Sequence, residues 1–366
     1  ADLVTAVDAD NDVARIRFKP GSRLRAARIV QDTADEGLQL RDVRVDLTDV
    51  TLTVDLGTPG TLPERSSITG HVAVDVGALH HPRLKTLGWQ LDGTVSGPLT
   101  DVRVEGQLRS DSGLAAEVTA RHRVGAFLVA NVMMAVGGEQ GTKAMAATFV
   151  DWPGSLQLNA GQIQVEASVH QTPDQPLALH GQLDFDGVDG LIDRTAVSRL
   201  NGRLLVGLEQ DALVARARDV VIGRINSGIG IGPVRVLAEY RAPRAELAAG
   251  VLDIQQATAR FLDGHLRVAP GSFDLARQPW RLPIDVYEVS LARLLQVYPT
   301  EGLTGSGTLS GRVPLKVSGS AVEVEQGRVS AMAPGGLLRL PAERLQAMLG
   351  SSQAMELVVE ALQNFH

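Results

Sequence analysis

Val43-Arg44-Val45-Asp46-Leu47-Thr48-Asp49-Val50-Thr51-Leu52-Thr53-Val54-Asp55-Leu56 is the stretch that decides the fold. Val43, Val45 and Leu47 alternate with Arg44 and Asp46. After Asp49 the phase resets, and Val50, Leu52, Val54 and Leu56 alternate with Thr and Asp. Period two puts the apolar side chains on one face of an extended strand and the polar ones on the other. A strand with one wet face belongs to an antiparallel sheet.

The pattern recurs outward in both directions. Further runs are Val102/Val104, Leu156/Leu158, Ile163/Val165, Leu204/Val206/Leu208, Val234/Val236, Leu266/Val268 and Val313/Leu315/Val317. About twenty strands are expected, separated by short Gly, Pro, Asp or Asn turns. No alternation with long helices occurs, which argues against a parallel βαβ sheet. Val124 to Val136 is apolar on both faces and reads as a strand closed by Gly137-Gly138.

Helix is expected in two places only. Ser290 caps a short one with Leu291, Leu294, Leu295 and Tyr298 on one face, stopped by Pro299. From Pro341 the period becomes 3.6: Leu345, Met348 and Leu349 share a face, Gly350 intervenes, and Met355, Val358, Leu362 and Phe365 line up. The expected division is 1–289 as groove strands, 290–340 as further groove strands with a short helix, and 341–366 as amphipathic helices. Ala1 begins without Met, and Asn364-Phe365-His366 stops inside a helical pattern. The expectation is therefore a piece of a longer polypeptide.

Composition sets the bounds. With 42 Asp+Glu against 35 Lys+Arg the net charge is −7, which gives no general affinity for nucleic acid. An apolar share of 44% excludes disorder, yet aromatics are only 4%, so the core is aliphatic. No apolar run reaches the length of a membrane-spanning helix. The absence of Cys removes disulfides, thiol catalysis and cysteine metal sites.

Chemistry-bearing motifs are scarce. Asp8, Asp10 and Asp12 mimic the start of a calcium loop, but Val13 replaces its Gly and Lys19 its Glu. His80-His81 before Pro82 reads as a turn. Gly228–Pro233, Gly141-Thr142-Lys143 and Gly305–Gly311 lack the patterns of nucleotide loops and read as turns or strands. No Ser is flanked by Gly at −2 and +2, so the nucleophile elbow is missing. Nothing points to an enzyme, a metal or a cofactor. Arg15, Arg17, Lys19, Arg23, Arg25 and Arg28 alternate with Ala14, Ile16 and Phe18 and read as the wet face of a strand.

One motif repeats: an apolar residue two positions either side of a Gly, at Gly70, Gly93, Gly106, Gly181, Gly202, Gly264 and Gly311. Period two puts each Gly on the apolar face, where it removes bulk. Seven such positions imply a systematically curved sheet, with the space serving either tight coiling or a ligand. The expected architecture is a mostly β protein. A long curved antiparallel sheet forms an elongated apolar groove, with C-terminal α-helices. Its lining residues are Val43, Val45, Leu47, Val50, Leu52, Val54, Val102, Val104, Leu156, Leu158, Ile163, Val165, Leu204, Val206, Leu208, Val234, Val236, Leu266, Val268, Val313, Leu315 and Val317. About twenty strands at ~4.8 Å each make a trough of about 100 Å. An acyl chain needs such an aliphatic trough and no directional hydrogen bonds.

Leu252-Asp253-Ile254, Phe261-Leu262-Asp263-Gly264-His265-Leu266, Ser290-Leu291-Ala292-Arg293-Leu294-Leu295, Gly305-Ser306-Gly307-Thr308-Leu309-Ser310-Gly311-Arg312-Val313-Pro314-Leu315 and Ala333-Pro334-Gly335-Gly336 are similar to the C-terminal part of the YdbH family. That family belongs to the AsmA-like group with TamB and YhdP, and the resemblance covers about the last third of the chain. It implies a periplasmic bridge, anchored in the inner membrane through an N-terminal segment, that passes phospholipid along a β-sheet groove towards the outer membrane. It also implies a small outer-membrane lipoprotein that adds strands near the C-terminal end. The competing class is a structural β-scaffold of the cell envelope whose aliphatic faces meet in a closed dry core.

Overall fold

Alternation builds strands along nearly the whole chain. The structure, a computed structural model, describes residues 1–366 except 11, 32–36, 210–211, 300–302, 319–320 and 340–366. The helices expected over 341–366, with Leu345, Met348, Met355, Val358 and Leu362, lie outside the described residues. The first strands are β1 (Thr5–Ala9), β2 (Val13–Phe18), β3 (Arg23–Gln31), β4 (Leu38–Asp55), β5 (Ser66–His81), β6 (Leu84–Pro98), β7 (Asp101–Ser110), β8 (Ala115–Arg123) and β9 (Phe127–Gly137). Helix α1 (Gly138–Thr148) follows, then β10 (Leu156–Thr172), β11 (Gln175–Ile192), β12 (Thr195–Glu209), β13 (Ala212–Asn226), β14 (Gly230–Ile231) and β15 (Val234–Pro243). Next come β16 (Val251–Phe261), β17 (Gly264–Val268), β18 (Gly271–Asp274), β19 (Trp280–Ser290) and α2 (Leu291–Val297). The last are β20 (Thr304–Ser306), β21 (Thr308–Ser318), β22 (Ala321–Val324), β23 (Arg328–Ala331) and β24 (Leu337–Arg339).

The protein is mostly β: 22 strands form one antiparallel sheet, and β20 pairs with β24 separately. Contacts divide the chain into two compact units, residues 1–194 with 203–210 and residues 195–202 with 211–366. Each unit follows the same rule, with hairpin neighbours pairing and the alternation kept in phase across strands.

In the first unit, register aligns Val50, Gly70, Val95, Val104, Ala120, Ala130, Val169 and Leu179 in one transverse row from β4 to β11. The next row on the opposite face is Asp49, His71, Thr94, Glu105, Thr119, Asn131, Ser168 and His180. A one-residue slip anywhere would exchange these faces, so the pattern specifies the register. In the second unit Val220, Val236, Ala257, Val268, Ile284 and Val313 form such an apolar row. Beside it stand Arg235, Thr258, Arg267, Asp285, Arg312 and Arg328 on the polar face.

Several boundaries differ from the expectation. At the phase reset before Val50, β4 runs on with a register shift between Asp46 and Asp49. A bulge adds one residue and restores the apolar face, so both halves point the same way. Likewise Leu156/Leu158 and Ile163/Val165 belong to one strand, β10, with register shifts between them. His80 and His81 are the last residues of β5 and not a turn. Leu262 is no strand residue: Leu262 and Asp263, both at positive φ, form the two-residue turn joining Phe261 to Gly264.

Helix α1 is the largest departure, because helix was expected only at 290–298 and 341–366. It includes Gly141-Thr142-Lys143, which had read as a turn or strand. The signal lay in Lys143-Ala144-Met145-Ala146-Ala147, strong helix formers that a period-two reading overlooks. A Glu139–Lys143 pair at 2.6 Å supports it one turn apart. Small residues let α1 sit close to the sheet: a Cβ on Gly141 would come within 2.9 Å of Val136 Cγ1. Ala144 and Thr148 are buried. A hydroxyl relay ties α1 to the β7–β8 turn. Ser110 Oγ and Ser112 Oγ are 2.6 Å apart, Ser112 Oγ and Thr148 Oγ1 are 2.7 Å apart, and Thr148 Oγ1 donates to the Ala144 carbonyl at 2.7 Å. Thr148→Val removes the hydroxyl that donates to the Ala144 carbonyl and pairs with Ser112, which is left with Ser110 alone. This costs about 1–3 kcal/mol, and amide exchange should quicken in α1 before it does in β7 and β8.

At α2 the expectation holds. Ser290 Oγ accepts from the Arg293 backbone N–H at 3.3 Å, and the helix ends before Pro299.

Candidate functional site

The feature that runs through both units is the apolar face. Every lining residue named from the sequence lies in a strand, and register gathers many of them into shared rows. Val50 and Val104 share the row already described. Val45 continues through Val74, Leu91 and Leu108 to Ala116, while Met134, Val165 and Leu183 align on β9 to β11. In the second unit Val236, Val268 and Val313 share one row, and Val234 and Leu266 share the next with Gly311. The row partners that sequence reading missed, among them Ala120, Ala130, Val169 and Ala257, sit in short runs. Ala there is too weakly apolar to stand out.

Burial along these rows is partial. Val43, Val50, Val54 and Leu158 are buried; the other named lining residues are half-buried. A closed aliphatic core leaves its central side chains almost without solvent contact. Val50, Val72 and Val95 form a buried cluster, with Phe18, Val45, Leu47, Ile68, Val74, Val102 and Val104 packed against it.

The motif glycines divide sharply. A Cβ on Gly70 would lie 2.7 Å from Val50 Cα, and on Gly93 or Gly106 2.7 Å from the other's Cα. On Gly202 it would lie 2.6 Å from the Asp219 carbonyl oxygen, on Gly264 2.6 Å from Glu288 C, and on Gly311 2.8 Å from Val329 Cα. At these six the space is taken by the neighbouring strand's backbone, as tight coiling requires. Gly181 differs: its nearest neighbours, the Glu166 carbonyl oxygen and Val206 Cβ, stand at 3.7 Å.

The opposite face is ionic. Arg203, the outward neighbour of Leu204, pairs with Asp184 at 2.7 Å. Arg15, Arg17, Lys19, Arg23, Arg25 and Arg28 are exposed, and Arg23 pairs with Asp46 at 3.3 Å. Asp285 accepts from Arg312 at 2.8 Å and Arg267 at 3.2 Å. These guanidinium bonds, Arg312 first, hold its carboxyl below the usual range despite burial. Asp101 accepts from both Arg121 and Arg123, whose hydrogen bonds hold it well below that range. Such shifts belong to structural ion pairs. Among the described residues no group of three His, Asp or Glu could hold a metal ion.

This is an antiparallel β-sheet protein in which each unit carries rows of aliphatic side chains on one face of its strands. The chain belongs to the YdbH-like family, described as "Intermembrane phospholipid transport protein YdbH", which matches residues 8–366. That is a lipid transport family, not an enzyme family; its name indicates phospholipid as the ligand and the cell envelope as the location. No curated protein and no solved structure matches the chain.

Proposed function

We propose that the aliphatic face is a groove for phospholipid acyl chains and that the chain is part of a periplasmic bridge carrying phospholipid between the inner and outer membranes. The observation that carries this is the row geometry: aliphatic side chains, most of them half-buried, in register across β4 to β11, backed by a mostly polar face. Half-burial is what a face awaiting an apolar ligand has, since about 25 cal/mol is gained for each Å² removed from water on loading. The inner-membrane anchor and the outer-membrane lipoprotein are further parts of this reading. Exposed Val324, Val329 and Met332 on and beside the short strands β22 and β23 suit strand addition near the C-terminal end.

The test is native mass spectrometry of the purified chain with lipid extraction. Bound phospholipid in submolar to molar amounts is expected. A lipid-free protein whose aliphatic side chains are protected from solvent labelling would favour the dry scaffold.

A further inference from the structure

In the second unit the face opposite the aliphatic rows is strongly basic. One polar row runs Arg235, Thr258, Arg267, Asp285, Arg312 and Arg328 from β15 to β23. The next row on that face holds Arg260, His265 and Tyr287. All five arginines are exposed. Asp285 is the one carboxylate among these residues, and Glu288 stands beside them in the register shift between Val286 and Val289. Five guanidiniums against two carboxylates leave a net positive charge.

Asp285 also orders part of the surface. It is buried, and it holds Arg312 at 2.8 Å and Arg267 at 3.2 Å. The Arg267 guanidinium carbon lies 5.9 Å from the Tyr287 ring centroid, and that ring stacks on His265 at 5.0 Å. Arg235, Arg260 and Arg328 form no ion pair among the described residues. Arg312 and Arg328 face each other across the ladder, where like charges repel. An anion laid over them removes that repulsion.

The bias is regional. Residues 1–194 hold 26 Asp+Glu against 17 Lys+Arg, a net −9. Residues 195–366 hold 16 against 18, a net +2. A negatively charged partner is therefore repelled by the first stretch and drawn to the second.

We propose that this face of β15 to β23 is a docking surface for an anionic phospholipid leaflet. Arg235, Arg260, Arg267, Arg312 and Arg328 meet the headgroup phosphates through charge-assisted hydrogen bonds, while the aliphatic rows of the same strands point the other way. The arginines are spread over six strands, about 24 Å at ~4.8 Å each, which suits a field of headgroups. The family is one of intermembrane phospholipid transport, so such leaflets are within its reach. The contact differs from the groove in kind: it meets lipids that remain in the bilayer, by charge and not by acyl burial.

The experiment is co-sedimentation of the purified chain with vesicles of phosphatidylglycerol in phosphatidylcholine, and with vesicles of phosphatidylcholine alone. Binding should favour the anionic vesicles and weaken as salt is raised. An arginine at an anionic surface is worth about fivefold. Arg235→Gln with Arg260→Gln and Arg328→Gln should therefore lower binding to the anionic vesicles roughly 100-fold, with melting unchanged. Arg235→Lys with Arg260→Lys and Arg328→Lys should keep most of the binding, because a fluid leaflet reads charge more than fork geometry. Arg15→Gln with Arg17→Gln and Arg25→Gln removes the same charge from the first unit and should leave binding intact. Lipid retained by the purified chain, counted by native mass spectrometry, should be the same in all variants.

Equal binding to both kinds of vesicle, or equal binding by the glutamine variant and the wild type, would overturn the docking surface and leave the groove reading standing. A loss of the same size in the first-unit variant would also overturn it, since the effect would then be one of total charge. If duplex DNA is bound through these arginines while phosphatidylglycerol vesicles are not, the leaflet assignment falls.

Discussion

Gly202→Leu should destabilise the protein by about 2–6 kcal/mol without any ligand present. Two costs add. The residue sits at φ +126, where an L side chain is strained by about 1–3 kcal/mol. Its Cβ would also stand 2.6 Å from the Asp219 carbonyl oxygen, and forcing strands apart costs about another 1–3 kcal/mol. Asp219 is itself at positive φ within a register shift of β13, so the bulge and the glycine are two halves of one bend. For a unit of this size the midpoint of thermal unfolding should fall by roughly 5–20 °C.

Gly181→Leu is the partner experiment. No positive φ is imposed there and the nearest atoms are 3.7 Å away. Melting should stay within about 1–2 °C of wild type, while bound phospholipid falls. If Gly202→Leu melts like wild type, backbone crowding is not the reason for the glycine. If Gly181→Leu binds lipid normally, its open space is not part of the groove.

How far the fold was legible follows from these positions. The alternation Val43 to Leu56 announced both the strand and its wet face, because burial on one side is a local property of period two. The bulge inside β4 showed itself as a phase reset, and pairing with β5 reveals that the ladder continues through it. Helix α1 hid behind Gly137-Gly138, since an eleven-residue helix with Gly141, Ala144 and Thr148 on its packing face has almost no apolar stripe. The glycine motif was visible, but its meaning lay across the sheet. Gly93 and Gly106 face each other in register, thirteen positions apart in sequence, and a single strand cannot show that. For the same reason the lining residues could be named one by one, while the rows that join them could not.

Those rows make Val165→Asp the sharpest test of function. Val165 lies between Met134 and Leu183 in register and is half-buried, so a carboxylate there can reach water and the fold should survive. An acyl chain crossing the row cannot tolerate it. Keeping about three methylenes away from the ion forfeits ~0.8 kcal/mol each, about 2–3 kcal/mol, or roughly 30–100-fold in lipid occupancy. A photo-crosslinking residue placed at Val165 or Val206 should label lipid. The same residue at Arg203, which pairs with Asp184 on the other face, should not. In a closed dry core the same Asp would be an unpaired buried charge, costing several kcal/mol. Melting would then collapse with no lipid to lose. Val165→Asp that stays folded and sheds lipid therefore speaks for a groove, and Val165→Asp that unfolds a lipid-free protein speaks for a scaffold. Equal lipid labelling from Arg203 and Val206 would remove the one-sided face on which the groove depends.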